Sequence, residues 1–412
     1  MDVLPLENGS QPAKKFAGLD GLRAISALGV VLLHACVPYA RNPMPGLAWP
    51  VHDGSSGIVD LVLWSIELCI MPVFLVIAGF FAYRGLQRHG ETALVRQRAR
   101  RLLIPLLFGV VVILPIDLHL WVLGWVIDGQ VEPVKLRSFK FDGQIDKDLW
   151  GLSHLWFLQY IFLYLCVLSL GSFVGKRFQR LRFPAWSLFQ WTLILTVLGT
   201  AVLAVRPNVV WGFQHSFWPV PSKWIYSGLF FALGALIAKH DPQFQRLSSV
   251  ALRLWPPALG ISLAALLLGQ WHLNGGENQF ASLLLAAFTC LSATLLTTAM
   301  IGTVATRVKQ VPPAIEYIAA ASFWIYIVHH PIVGLIHIDL YLLAPQWNPV
   351  IKTALSFGLA TAISLLMYES LVRTTAFGHW LGLGWQRKPK AGDLLPIDTS
   401  AEPAVQQPAK AA

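Results

Sequence analysis

Ten long apolar runs dominate the pattern of hydrophobic and polar positions along the chain. An α-helix rises about 1.5 Å per residue, so crossing about 30 Å of hydrocarbon takes about 20 residues. The runs cover residues 16–38, 58–83, 102–127, 154–174, 187–205, 222–238, 254–272, 280–302, 315–338 and 350–372. No small-residue cleavage site follows the first run, which also contains Arg23, so we interpret it as a retained span and not a signal peptide. The pattern predicts an all-α, polytopic membrane protein of about ten transmembrane helices.

The composition also indicates a chain surrounded mostly by lipid. Of its 412 residues, 55% are hydrophobic and only 13% are charged, whereas an average soluble domain has about a quarter charged residues. Four cysteines lie inside apolar runs with no CxxC spacing among them: Cys36, Cys69, Cys166 and Cys290. Their placement predicts small buried side chains, not a disulfide framework or a zinc site. We expect a transmembrane domain over residues 1–388 and a disordered, Ala- and Pro-rich tail over 389–412.

The distribution of positive charge predicts the topology. If the N-terminus is cytoplasmic, 21 of the lysines and arginines in loops and termini lie inside and 8 lie outside. That excess obeys the positive-inside rule, with both termini cytoplasmic. Because topology explains the net charge of +10, no basic face is left for a nucleic-acid partner, and none is expected. The oligomeric state stays open.

Two ionisable residues in the first predicted span are the first functional candidates. Charges inside spans are costly and are therefore candidates for function. Arg23 and His34 are eleven residues apart, which is about three helical turns and about 16 Å of rise. The two side chains share a face without touching, and Asp20 is spaced to pair with Arg23. A snorkelling arginine and a histidine at the membrane rim remain an alternative.

The predicted topology separates the other ionisable side chains by depth. Histidines and carboxylates belong to the outer half: His34, Glu67, Asp117, His119, His154 (with Trp156 close by), His329 and His330. Arginines belong to the inner side: Arg23, Arg98, Arg101 and Arg373, the last with Glu369 four residues before it. Imidazoles and carboxylates do acid–base chemistry near neutral pH, and arginines bind phosphates or carboxylates. The separation favours an elongated anionic donor that enters from the cytoplasm and reacts near the outer histidines.

Several of these residues also have a purely structural interpretation. Glu67 could simply pair with a neighbour. Adjacent His329 and His330 point about 100° apart on a helix, so only one of them need face a site. Three histidines are interpreted as rim residues, His119 among them: His119, His337 and His379. Because the chain has no i,i+4 histidine pair and no HExxH motif, no metal site is expected.

Six motifs resemble those of the membrane-bound acyltransferase-3 family. In chain order they are LDGLRAISALGVVLLH (with Arg23 and His34), FLVIAGFFAY at 74–83, RARRLLIP at 98–105, SHLWFL at 153–158, SFWIYIVHHP at 322–331 and YESLVR at 368–373. Their combination in this order is specific, and it covers nearly all of residues 16–385. The HHP and YE-x3-R versions look most like the branch that succinylates osmoregulated periplasmic glucans. One departure is Ala78, where relatives often carry serine, so any hydrogen bond of that hydroxyl is missing here.

The resemblance implies transfer of an acyl group from cytoplasmic acyl-CoA to hydroxyls of an extracytoplasmic glycan, across a bacterial inner membrane. Succinyl-CoA is the preferred co-substrate and acetyl-CoA the next, with no bound cofactor. Together, the resemblance and the depth sorting predict a site grouped by role. The catalytic group is His34, Arg23, His330, His329 and Glu67; the donor-binding group is Arg98, Arg101 and Arg373; the supporting group is Asp20, Asp117, His154, Trp156 and Glu369.

The preferred mechanism is direct attack of an acceptor hydroxyl on the thioester carbonyl, with His34 as general base. Arg23 would hold an anionic part of the donor, and Glu67 or Asp117 would orient His34. An acyl-histidine intermediate is an alternative within the same activity. A transporter or flippase of an anionic lipid or glycan is the alternative from another class, because it uses the same buried charges without forming a bond. A structural scaffold would leave Arg23 and the histidines unexplained.

Overall fold

The computed structural model describes residues 16–138, 140–141, 149–177 and 186–384, and the predicted tail lies outside them. The regular elements of the described chain are helices, with a single isolated β-bridge. The main helices are α1 (Ala17–Cys36), α2 (Gly57–Glu67), α3 (Ile70–His89), α4 (Glu91–Phe108), α5 (Leu114–Ile127), α6 (Trp156–Arg177), α7 (Leu188–Val205), α8 (Pro221–His240), α9 (Gln245–Leu273), α10 (Gln279–Arg307), α11 (Pro313–Leu343), α12 (Pro349–Met367) and α13 (Ala376–Trp380). The all-α prediction is confirmed.

Nine helical segments of the described chain are long and apolar enough to cross a membrane, and they match nine of the ten predicted runs. The one predicted run outside this set, 222–238, forms α8. This helix is 20 residues long, but polar residues at its two ends, including Lys223 and Lys239, keep it outside that set. The prediction of a polytopic helical membrane protein is therefore confirmed.

The second predicted run, 58–83, is a broken helix. α2 ends at Glu67 and α3 begins at Ile70, with a two-residue turn between them. Pro72 lies in the first turn of α3, where the missing N–H of proline costs no hydrogen bond. The break places the carboxylate of Glu67 at the end of a short helix within the bundle.

Close contact between α3 and α8 depends on two glycines. A Cβ on Gly79 would lie 2.0 Å from the carbonyl oxygen of Phe231, and a Cβ on Gly234 would lie 2.0 Å from that of Val76. Small residues let membrane helices approach to backbone contact. The contact holds α8, which carries Lys223, against the helix that begins at the break.

A π-helical turn, Gly109–Ile113, joins α4 to α5 just before Asp117. One extra residue in a helical turn rotates everything that follows it by about 100° relative to an uninterrupted α-helix. The face on which Asp117 lies is therefore set by this turn and not by α-helical spacing from α4.

α1 runs from one end of the bundle to the other, and the side chains at the two ends differ chemically. Phe16, at the start of α1, packs edge-on against Phe80 of α3 and lies 5.1 Å below the guanidinium of Arg84. We call this side the arginine end. His34 lies near the other end of α1, and we call that side the histidine end.

Candidate functional site

Five buried histidines meet at the histidine end, and we call them the histidine cluster: His34 on α1, His154 on the short 3-10 turn before α6, and His329, His330 and His337 on α11. The ring of His34 lies 4.8 Å from that of His330 and 5.1 Å from that of His329, measured between centroids. The rings of His154 and His330 stack at 4.6 Å. The structure thus brings both adjacent histidines of α11 next to His34. The rim prediction for His337 is wrong, because its side chain is fully buried.

Asp117 is the carboxylate of the cluster. One of its oxygens lies 2.7 Å from Nδ1 of His330 and 3.7 Å from Nδ1 of His154, and the side chain is buried. At this distance the carboxylate charge acts strongly on an imidazolium, because both groups are buried. The expectation that Asp117 orients His34 is therefore corrected, since its partner is His330.

Trp49 fixes the ring of His34 from the other side. The two rings are stacked, with centroids 5.8 Å apart and planes 6° apart. The indole N–H of Trp49 donates to Nδ1 of His337 at 2.9 Å, and that of Trp125 donates to the Trp49 carbonyl at 2.8 Å. Sequence reasoning missed Trp49, because a single tryptophan in the loop between two spans carries no motif or periodic signal.

A cavity of about 80 Å³ opens beside His34, and we call it the histidine cavity. Its polar lining includes His34, Glu67, His154, Trp156 and Lys223, and the remaining walls are mostly apolar. Nδ1 of His34 is buried and has no hydrogen-bond partner among the described residues. Glu67 and Trp156 were predicted here. Lys223 was missed because it lies near the start of its helix and was counted as a loop cation, yet its side chain is buried.

Arg23 lies apart from the histidine cluster. Its guanidinium lies 3.3 Å from a carboxylate oxygen of Asp20, as the spacing predicts. A second nitrogen donates to the backbone carbonyl of Ala319 on α11, also at 3.3 Å. Arg23 thus ties α1 to α11 toward the arginine end, about three turns away from His34.

A second opening of about 880 Å³ lies at the arginine end, and we call it the arginine cleft. It is lined by His89, Thr92, Ala93, Arg96, Gln97, Arg100, Arg101, His379, Gly382 and Gly384. Arg96 and Arg100 share one face of α4 through i,i+4 spacing, with Arg101 beside them. This concentration of cationic side chains suits a polyanionic ligand.

Only one of the three predicted donor arginines lines the arginine cleft. Arg101 is there, but Arg98 is not among the lining residues. Arg373 is held by both carboxylate oxygens of Glu369, at 2.8 and 2.9 Å. The structure places Arg96 and Arg100 in the cleft beside Arg101, because the RARR motif identifies the segment and not the face of the helix. Donor binding by Arg98, Arg101 and Arg373 stays a prediction. His379, predicted at the rim, also lines the cleft.

One group of side chains has the composition of a metal site. The donor atoms of Asp117, His154 and His330 lie within 4.8 Å of one another. Two imidazoles and a carboxylate can hold a transition metal. The closest pair is Asp117 and His330, at 2.7 Å, yet the carboxylate oxygen and both Nδ1 atoms have no hydrogen-bond partner among the described residues. The expectation that the chain holds no metal stays a prediction.

Comparison with known proteins gives a family and a set of distant relatives. A model of the family described as "Acyltransferase domain" (acyltransferase-3) matches residues 16–369. Proteins named glucans biosynthesis protein C from Salmonella paratyphi B and Salmonella heidelberg are 24% identical over 378 residues, which is 88% of this chain and 94% of theirs. No solved structure matched the chain.

Proposed function

We propose, on the premise that the chain belongs to the acyltransferase-3 family, that it moves an acyl group from acyl-CoA to hydroxyls of an extracytoplasmic glycan. The name of the relatives, glucans biosynthesis protein C, supports a glucan as the acceptor. Succinyl is the preferred acyl group and acetyl the next. One observation carries the proposal. His34 lines a cavity at the histidine end, and its Nδ1 is buried with no hydrogen-bond partner among the described residues.

The histidine cluster supplies the acid–base chemistry. His34 takes the proton of an acceptor hydroxyl while the hydroxyl oxygen attacks the thioester carbonyl. The tetrahedral intermediate collapses, the C–S bond breaks, and CoA leaves as a thiolate that takes up the proton. The carboxylate of Asp117 lies 2.7 Å from Nδ1 of His330, whose ring centroid lies 4.8 Å from that of His34. Asp117 therefore acts on the imidazolium that forms on His34 through His330, because charges interact strongly in a buried site.

The arginine cleft binds the phosphates of CoA. Guanidinium groups bind phosphate oxygens with directed, charge-assisted hydrogen bonds. His34 and the start of α1 are separated by almost the whole helix, so the donor lies extended between the two ends. Phosphates at the arginine end then place the thioester toward the histidine cavity.

Substitution of the cleft arginines tests donor binding. Arg100→Ala and Arg101→Ala are each expected to weaken acyl-CoA binding about ten- to a hundredfold, since a charge-assisted contact contributes roughly 1.5–3 kcal/mol. Isothermal titration of the purified variants with acyl-CoA measures the effect. The matched control is Arg307→Ala, an exposed arginine outside the cleft. If affinity is unchanged when both cleft arginines are replaced, the cleft is not the donor site.

The topology that the proposal requires puts the arginine end and both termini in the cytoplasm of a bacterial inner membrane. Exposed Arg88 and Lys140 lie in segments assigned to opposite sides. A cysteine at position 140 is expected to react with a membrane-impermeant maleimide in intact spheroplasts, and a cysteine at position 88 only after lysis. The reverse pattern would invert the molecule and remove the assignment of cytoplasmic acyl-CoA to the arginine cleft.

The break between α2 and α3 favours one other candidate function. Broken helices that carry a charged side chain also form the substrate sites of transporters, and Glu67 lies at this break. A flippase of an anionic lipid or glycan would move its substrate without consuming a thioester. Release of free CoA thiol by the purified protein, dependent on added glucan, separates the two: the acyltransferase releases one thiol for each ester formed, and the flippase releases none.

A further inference from the structure

We propose that Lys223 is the residue through which the histidine cavity selects acyl groups, by binding a carboxylate at the far end of the transferred chain. This inference rests on the proposed acyl transfer and adds a specificity-determining contact to it. It starts from an ammonium group that neither the family motifs nor the mechanism uses.

The ammonium of Lys223 is held in place by neighbouring groups but has hydrogen-bond donors left for a ligand. Its ammonium donates to the backbone carbonyl of Gln214 at 2.8 Å. It also lies 4.0 Å from the ring centroid of Trp156 and 4.7 Å from that of Phe213, as in cation–π contacts. An ammonium carries three N–H donors, and one carbonyl uses one of them. Within the described chain no carboxylate oxygen lies within 4.0 Å of this nitrogen.

A buried cation in such surroundings favours an anionic ligand. Only 7% of Lys223 is exposed to solvent, and a buried charge is costly unless an opposite charge compensates it. Glu67 lines the same cavity, but it forms no ion pair with Lys223. The approach to the ammonium from the cavity is therefore the direction from which a ligand carboxylate can add a short, charge-assisted hydrogen bond.

The position of Lys223 relative to His34 fits a chain with two functional ends. Both residues line the histidine cavity, whose other walls include Val30, Leu33 and Val210. The carbonyl end of an acyl group must lie at His34 for the transfer to occur. Methylene groups suit the apolar walls, and a terminal carboxylate suits Lys223. A short diacid half-thioester has these parts in this order.

Two donors of equal chain length separate charge from size. Succinyl-CoA and butyryl-CoA both carry four-carbon acyl groups, but only the succinyl group ends in a carboxylate. The wild-type protein is expected to show the higher kcat/KM with succinyl-CoA. Lys223→Met is expected to lower that value about 10- to 100-fold and to change the value for butyryl-CoA by less than about threefold. Lys223→Arg should keep the preference, and Lys140→Met, an exposed lysine in the loop after α5, should behave as wild type.

Glu67→Gln provides a test of opposite sign that does not depend on removing the lysine. If Glu67 competes with the acyl carboxylate for Lys223, the neutral glutamine should raise the ratio of succinyl to butyryl transfer several-fold. The inference is overturned if the wild type shows no preference, if Lys223→Met lowers both transfers equally, or if Glu67→Gln lowers the ratio. An equal fall would mean that Lys223 supports the fold or holds the acceptor. If the wild type transfers neither acyl group from CoA, the proposed function itself is wrong.

Discussion

Replacement of His34 by alanine is expected to lower acyl transfer about a hundred- to ten-thousandfold while acyl-CoA binding survives. The loss follows because an alcohol attacks a thioester slowly unless a base removes its proton, and a positioned base contributes a factor of this size. Binding survives because the arginine cleft shares no lining residue with the histidine cavity. The measurements are acylated glucan formed per unit of folded protein and the Kd for acyl-CoA.

Two further variants separate a general base from a structural histidine. His34→Gln keeps polarity and approximate size but cannot accept a proton in this pH range, so it should be as inactive as the alanine variant. His119→Gln, at an exposed position outside the histidine cluster, is the matched control and should keep its activity. Near-wild-type turnover per folded molecule of either His34 variant would end the assignment of His34 as the base.

Asp117→Asn is expected to lower kcat about a hundredfold, with little change in the Kd for acyl-CoA. Asparagine keeps the shape of the side chain but removes the negative charge that lies 2.7 Å from His330 and, through it, beside His34. The imidazolium that forms during transfer then loses the negative charge of the histidine cluster. The expected loss is at the low end of the factor for acid–base catalysis. Steady-state kinetics with titrated acyl-CoA and a separate binding measurement give the two quantities.

Asp60, a second buried aspartate, provides the control for the loss of stability that replacing a buried carboxylate causes. Asp60 is as buried as Asp117 and accepts a hydrogen bond from the backbone of Asn42 at 3.0 Å, outside the histidine cluster. Asp60→Asn is expected to lower thermal stability with normal kcat per folded molecule. If Asp117→Asn shows the same pattern, with unchanged kcat, then Asp117 supports the fold and not the chemistry.

Apolar patterning was enough to predict the helices, because lipid requires long apolar segments whatever their packing. It could not predict the break between Glu67 and Ile70. Both halves are apolar, and together they form one continuous run. It also placed 222–238 among the spans, because the middle of this run is apolar. The polar ends of the helix and its close contact with α3 through Gly79 and Gly234 became visible only in the structure.

The residue types of the candidate site could be predicted, but several of their partners could not. Depth in the membrane alone suggested Glu67 or Asp117 as the carboxylate that orients His34. It could not show that Asp117, whose face is set by the π-helical turn at Gly109–Ile113, lies against His330. The arginine motif fixed the segment of α4, but the face that meets the cleft depends on contacts with α13 and the residues after it. Lys223 was assigned to an outer loop from its position in the sequence. Its burial depends on the loop that supplies the carbonyl of Gln214, which the sequence does not show.

The most direct test of the proposed acyl transfer across the membrane uses sealed proteoliposomes of known orientation. Acyl-CoA labelled in its acyl group is enclosed on the side of the arginine cleft, and glucan is added only on the side of the histidine cavity. The account predicts labelled glucan outside and an equal amount of free CoA inside, with neither product in the His34→Ala variant. Labelled glucan only when acyl-CoA is supplied on the outer side, or glucan movement with no release of CoA, would contradict it.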